Sequence, residues 1–344
     1  MARILFLYSE LMPYMEAVIR VLAYNYEDQI AVISWDQRKL TPHQSKKEDK
    51  IIYYQRSTFS DSDIKKYIID YAPDLIYVSG RMDKGYLKAI KKWKSKIPIV
   101  SGCDNQWQGS LKNQFASLLS YYLYKQYFTH IWVPGPLQYE FARRMGYRQE
   151  NIILNLYTGN REMFKSSERT HGNTKRIVFI GRLDPVKGLN FLVKAYQQLP
   201  PAIQKEWELL LIGEGKMRLQ LERIPTVRLT GFLNQEEILP YLEGDCIFCL
   251  PSRKEPWGVV VHEMASAGLP LLLSDQVGAA KELLIEGWNG YLFKAESSDS
   301  LHEKLIQLLT CSNTERLRMG GNSRQLSERF SPHIAAASLR SVLI

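Results

Sequence analysis

Short runs of consecutive apolar residues recur through this chain, separated by amphipathic stretches long enough to be helices. That rhythm constrains the fold more than any other feature. Arg3–Tyr8, Gln29–Ser34, Leu75–Val78, Ile97–Ser101 and His130–Val133 read as strands, with helical stretches such as Met15–Tyr24 and Ile64–Tyr71 between them. Strands alternating with helices build a parallel sheet covered by helices on both faces. The rhythm pauses at Ser166–Lys175, which is polar and without apolar periodicity, and then resumes. The second series comprises Arg176–Ile180, Glu208–Ile212, Val227–Thr230, Cys246–Leu250, Pro270–Leu273 and Gly290–Phe293. The expected fold is therefore α/β, with two doubly wound domains facing each other across a cleft. The first would span 1–165, the linker 166–175 and the second domain 176–327, with a helix in 328–344 packing back toward the first. Ligands of such sheets bind outside the carboxyl ends of the strands.

A length of 344 residues suits two domains. No apolar run reaches the ~18 residues that a membrane helix needs. The amino-terminal run Ala2–Glu10 is too short for a signal peptide and no small-residue cleavage site follows it, so it reads as a buried first strand of a cytosolic protein. Four cysteines agree with that compartment. Cys246 and Cys249 lie three apart in one apolar run, so on a strand they point to opposite faces and cannot share a metal. The formal net charge of +9 is uneven: residues 1–169 carry 25 Lys and Arg against 17 Asp and Glu, and the remainder 20 against 19. The first half is thus expected to meet something anionic.

Two stretches carry chemistry. In the first, the strand Ile177–Ile180 ends in Gly181, Arg182 follows at once, and Lys187 and Gly188 precede the amphipathic helix Leu189–Leu199. A planar fork and a point charge beside a helix amino terminus suit a diphosphate, although two solvated basic residues in a loop would read the same way. In the second, Leu250–Pro270, a strand leads into a loop holding Glu255, and a helix opens near Gly258 and ends at Gly268. Glu263 sits in the second turn of that helix among Val259, Val260, Val261, Met264 and Ala265. A carboxylate there needs partners, either the two hydroxyls of a ribose or a neighbouring lysine. Free amides at the helix start suit phosphate oxygens.

Gly181-Arg182 with Lys187-Gly188, the pair Glu255 and Glu263 with seven residues between, and Gly268-Leu269-Pro270 together resemble the signature of family 4 glycosyltransferases, which have the GT-B fold of two Rossmann-like domains. Gly213-Glu214-Gly215, Gly231 and Asn289-Gly290 extend the resemblance over roughly 176–295, while the first domain matches in general architecture only. The resemblance implies a retaining enzyme that needs neither metal nor cofactor and takes its sugar from a nucleotide diphosphate. Arg182 and Lys187 would bind the diphosphate beside Gly181 and stabilise the leaving phosphate. Glu263 would hold the ribose, Glu255 the transferred sugar, and the amides of Trp257, Gly258, Val259 and Val260 sugar and phosphate. The base would lie near Phe232 and Leu233. The first domain would bind the acceptor, a glycan or lipid-linked glycan of surface polysaccharide synthesis. A UDP-sugar is preferred over GDP-mannose.

The chain departs from the family at Pro256-Trp257, where a small residue and Phe are usual, and in the glycine-free loop Ser9–Tyr14. Both put the identity of the sugar in doubt. Asp104, after the strand 97–101, is the candidate for orienting the acceptor hydroxyl, with turn capping as the alternative. Asp61-Ser62-Asp63 imitates a metal-binding Asp-x-Asp but directly precedes a helix, which makes it a cap. Lys84, Lys88, Lys91, Lys92, Lys94 and Lys96 surround Trp93 and form either a solvated face or a patch resting on anionic lipid at the inner membrane surface. The aromatics of Ser120–Phe128 belong to that face, to the acceptor cleft or to the core. The rivals are a nucleotide-sugar epimerase of the same architecture and, in another class, a basic nucleic-acid-binding protein. No nucleic-acid-binding motif supports the latter, so nucleic acid is not expected as a partner.

Overall fold

A computed structural model describes residues 1–36, 49–107, 109–165 and 174–343. The chain divides into two compact units, Met1–Thr158 joined by the C-terminal segment from Phe330, and Gly159–Arg329.

The first unit is built on seven parallel strands: β1 (Arg3–Tyr8), β2 (Gln29–Ser34), β3 (Ile51–Gln55), β4 (Leu75–Val78), β5 (Ile99–Gly102), β6 (His130–Trp132) and β7 (Ile152–Ile153), in the order β3-β2-β1-β4-β5-β6-β7. The inner strands are buried along nearly their whole length because helices cover both faces. The order reverses between β1 and β4, and the loops after β1, β4 and β5 leave the same edge of the sheet. Two strands were not expected. β3 is a half-exposed edge strand, and β7 has two residues, too short for any periodicity. The helix Pro332–Arg340 completes this unit: Ala335, Ala336 and Leu339 are buried in its core, and Arg340 is ion-paired with buried Asp28.

The second unit has six parallel strands: β8 (Lys175–Ile180), β9 (Trp207–Ile212), β10 (Val227–Gly231), β11 (Asp245–Leu250), β12 (Leu271–Ser274) and β13 (Gly290–Phe293), in the order β10-β9-β8-β11-β12-β13. Its switch point lies between β8 and β11. Buried Arg316 holds Asp245, the first residue of β11, through Nη2 at 2.6 Å and Nε at 3.0 Å.

The division falls earlier than residue 165. Gly159 donates its N–H to His262 Nδ1 at 2.7 Å, and Asn160 donates to Gln235 Oε1 at 3.1 Å. Phe164, on the helix Arg161–Lys165, is fully buried. These anchors tie 159–165 to the second unit. Of the stretch read as linker, 166–173 lies outside the described residues, and Lys175 already opens β8 opposite Trp207 and Asp245. Among the described residues no helix is long and apolar enough to cross a membrane, and no group of His, Cys, Asp or Glu is arranged to hold a metal ion.

Candidate active site

In the second unit the loops after β8 and β11 leave adjacent strands at the carboxyl edge. Arg253 N–H donates to Val186 O at 2.8 Å, and Gly188, with φ 70°, lets the two loops close on each other. A Cβ on Gly188 would stand 2.0 Å from the carbonyl oxygen of Pro251, so only glycine permits this approach. The consequence is chemical: Lys187 reaches Glu255, and the ammonium and carboxylate form an ion pair. Both side chains are largely buried, with relative exposures of 14% and 13%. Ser252 Oγ also donates to Glu255 Oε2, at 3.3 Å. The Glu255 backbone is fixed by bonds to Gln276 O at 3.2 Å and from Gly278 N–H at 3.0 Å. Arg182, by contrast, reaches outward: it is 57% exposed and pairs with Asp184 at 3.1 Å.

Gly258, with φ 93°, starts the helix Val259–Ser266. Val261 N–H donates to Gly258 O at 2.9 Å, while the first two amides of a helix, here those of Val259 and Val260, find no acceptor within it. Trp257 lies just before it with a buried indole, and its carbonyl accepts from Ala279 N–H at 2.9 Å. Five residues into the helix stands Glu263. Its Oε1 accepts from Gln235 Nε2 at 2.6 Å, and the Asn160 amide is a further donor to the carboxylate. Burial outweighs these bonds and pushes the carboxyl up to about 7. The partner is thus Gln235, and no lysine among the described residues pairs with Glu263.

Next to it, His262 is buried between Gly159 N–H and the carbonyl of Ser327, 2.9 Å from Nε2. Because the amide can only donate, Nδ1 is the acceptor and Nε2 carries the proton. Burial holds this imidazole neutral, with its pKa pushed down to about 4. On the neighbouring loop, Phe232 follows β10 with 49% of its surface exposed, a free ring face at the same edge, with Leu233 beside it. Gln235 therefore links the loop bearing Phe232 to Glu263.

From Lys187 to Phe232 the second unit presents, in order, a paired cation and carboxylate, a helix start with open amides, a polar carboxyl and an exposed aromatic ring. Gly181 follows β8 and precedes Arg182 at the head of this series. Such a series can bind a sugar, a diphosphate, a ribose and a base. Cations and amides converging on a phosphate stabilise the charge that develops as it leaves.

In the first unit Asp104 lies on the loop after β5, and Tyr157 Oη donates to its Oδ2 at 3.4 Å. Tyr8, Tyr14 and Tyr77 pack beneath, with the hydroxyls of Tyr8 and Tyr14 3.4 Å apart. Burial raises the pKa of each of these phenols, and the Asp104 charge adds to it for Tyr8, Tyr77 and Tyr157, so they remain donors. On the loop after β4, Arg81 stacks on Tyr124 with its Cζ 4.6 Å from the ring centroid. The mimic of a metal motif is a cap: Ser60 and Asp63 form a capping box, and Asp61 pairs with Arg56 and Lys88. Lys84, Lys88, Lys91, Lys92 and Lys96 are exposed, whereas Lys94 turns inward to the carbonyl of Lys125.

Gln235, Asn160, His262, Tyr157 and Arg81 were not anticipated. Four of them are polar side chains with no motif around them, and His262, although it precedes Glu263 in the motif, is placed like them by contacts far away in sequence. Asn234 does offer a signal nearby, since it caps a short helix together with Glu237 and so fixes where Gln235 points.

Residues 160–326 match the family model for glycosyl transferases group 1. An uncharacterized glycosyltransferase of Methanocaldococcus jannaschii is 25% identical over 278 residues, which is 78% of this chain and 74% of that protein. Other curated relatives are matched over about half their length or less. Among solved structures, the Anabaena protein HepE in complex with UDP and glucose superposes with a TM-score of 0.70 at 18% identity, covering 100% of this chain and 99% of that one. WaaG, a glycosyltransferase involved in lipopolysaccharide biosynthesis, gives a TM-score of 0.68 at 14% identity with 99% of each chain covered. Residues 160–326 thus resemble the group 1 glycosyl transferases, and the chain as a whole has the GT-B fold.

Proposed function

We propose that this protein is a retaining, metal-independent glycosyltransferase that moves a hexose-type sugar from a UDP-sugar to a glycan or lipid-linked glycan in surface polysaccharide synthesis. It would work in the cytoplasm, with its lysine-bearing first unit at an anionic membrane. The observation that carries the reading is the pair of contacts flanking the helix start at Gly258, Lys187 to Glu255 on one side and Gln235 to Glu263 on the other. They place a cation, a helix start and two carboxyls near one another, a set complementary to a nucleoside diphosphate sugar. The UDP complexes of the structurally similar HepE support the choice of base.

In this reading Arg182, Lys187 and the first-turn amides hold the diphosphate, Glu263 takes the ribose hydroxyls, and Phe232 and Leu233 face the base. Glu255 contacts the transferred sugar. The bond between the anomeric carbon and phosphate oxygen breaks as the acceptor oxygen bonds to that carbon. The acceptor proton passes to the departing phosphate on the same face. Asp104, held by Tyr157, orients the acceptor hydroxyl. The cations and amides of the second unit supply the electrophilic assistance that other transferases draw from a metal.

Thermal shift against UDP, GDP, ADP and TDP and their sugars, in EDTA, tests the donor half. At a hundredfold excess over Kd, UDP is expected to stabilise the protein by about 2.7 kcal/mol and Glu263→Ala to abolish the effect. Equal or absent responses to all four nucleotides would overturn the reading.

A further inference from the structure

The helix Leu111–Lys125 of the first unit is turned inside out. Phe115, Leu118, Leu119 and Tyr122 are spaced i, i+3, i+4 and i+7, the pattern of a core-facing stripe. Yet they are 74%, 61%, 61% and 66% exposed. On the opposite side of the same helix, Ser117, Ser120 and Tyr124 are buried against the unit. So many large apolar groups on one face of a helix mark an interaction surface.

The charge around the stripe identifies the occupant. Lys94 donates to the carbonyl of Lys125, the last residue of the helix, and so brings the lysine-rich turn Lys91–Trp93 against its carboxyl end. Lys125 itself lies over the ring of Tyr121, 5.1 Å from its centroid. Between residues 84 and 139 the sequence has eight lysines and one acid, Asp104. A second copy of the chain would bring like charges together at this face, which disfavours self-association. An anionic bilayer offers an apolar interior for the stripe and a negative surface for the lysines, with Tyr122 suited to the headgroup level.

We infer that the helix Leu111–Lys125 docks on an anionic membrane by inserting Phe115, Leu118, Leu119 and Tyr122 below the headgroups, while Lys91, Lys92 and Lys96 contact the lipid phosphates. This deepens the membrane half of the proposed function and does not depend on which donor the second unit binds. The attachment is reversible, since one interfacial helix does not anchor irreversibly.

Sedimentation of the full chain with vesicles tests it, using phosphatidylcholine alone or mixed with phosphatidylglycerol. Binding is expected only to the mixed vesicles. The triple variant Phe115→Ser/Leu118→Ser/Leu119→Ser should lose about tenfold or more in vesicle affinity while keeping its melting temperature and nucleotide response. Lys91→Glu/Lys92→Glu/Lys96→Glu should bind no more tightly to mixed vesicles than to neutral ones. No sedimentation of the wild type at low salt overturns the proposal. Binding unchanged in the serine variant overturns it too, because adsorption would then be electrostatic alone. A dimer abolished by the serine substitutions, without vesicle binding, would make the stripe a protein interface instead. Nucleotide binding is read separately in the same samples, so a failed donor assignment is not confused with a failed membrane surface.

Discussion

The ammonium of Lys187 is ion-paired with the carboxylate of Glu255, so the cation expected to meet the donor phosphate and the acid expected to meet the donor sugar are held by each other. Neither can be judged alone. A donor diphosphate would take over the ammonium and leave the carboxylate to the sugar hydroxyls. Lys187→Ala is expected to lower kcat by ~10²–10³-fold, the scale of one lost donor to developing charge. It should also destabilise the free protein by about 1–3 kcal/mol, because a largely buried carboxylate loses its partner. Lys187→Ala/Glu255→Gln should regain most of that stability and none of the turnover. Urea unfolding and steady-state kinetics on the four corners of the cycle measure both.

Glu263 makes the second prediction. Its folded pKa of about 7 stands above the ordinary value of 4.5. The folded state therefore binds more protons between those values, and this group's contribution to stability is complete below pH 4.5 and lost as pH rises through 7. Glu263→Gln should remove that loss and be more stable than wild type at pH 8 by about 2–3 kcal/mol. Ribose hydroxyls donate to the ionised form, so nucleotide affinity of the wild type should rise with pH through 7. The glutamine variant should show a flat profile in titration calorimetry.

His262 works in the opposite sense. Its folded pKa of about 4 lies below the ordinary 6.5, so its contribution is complete above pH 6.5 and lost as pH falls toward 4. With Glu263 next to it, the two slopes largely cancel between about pH 5 and 6.5. Glu263→Gln should expose the histidine slope, with a loss on the order of 3 kcal/mol from pH 7 to 4, and His262→Phe should expose the glutamate slope. His262→Phe also strips Gly159 N–H of its acceptor and should cost about 1–3 kcal/mol at neutral pH. Denaturant melts across pH in the two variants decide whether the slopes have these signs.

Gly188→Ala tests whether loop closure builds the site. A φ of 70° strains alanine by ~1 kcal/mol, and the Cβ would press on the Pro251 carbonyl. A total loss of about 2–3 kcal/mol is expected, and the loops after β8 and β11 should part. Nucleotide binding should weaken with it, since Lys187 then no longer reaches Glu255. Undiminished nucleotide affinity in a destabilised variant would separate the glycine from the site.

The strand–helix rhythm was legible because strands buried on both faces, such as Ile177–Ile180 and Cys246–Leu250, announce themselves as apolar runs whatever surrounds them. The placement of Arg182, Lys187 and Glu255 after strand ends and of Glu263 on one helix was legible too. That placement is local and survives without a structure. What the sequence left open is everything that depends on contacts between distant segments. The edge strand β3 and the two-residue β7 exist only through pairing with β2 and β6. The unit boundary shifted because His262 and Gln235, 103 and 75 residues further along the chain, capture Gly159 and Asn160. Gln235 rather than lysine faces Glu263 for the same reason. Most plainly, the stripe Phe115, Leu118, Leu119 and Tyr122 has the periodicity of a core face. Only the tertiary structure shows that Ser117, Ser120 and Tyr124 take the core and leave the stripe outside. Periodicity fixes that a helix has two faces, and packing decides which of them meets the protein.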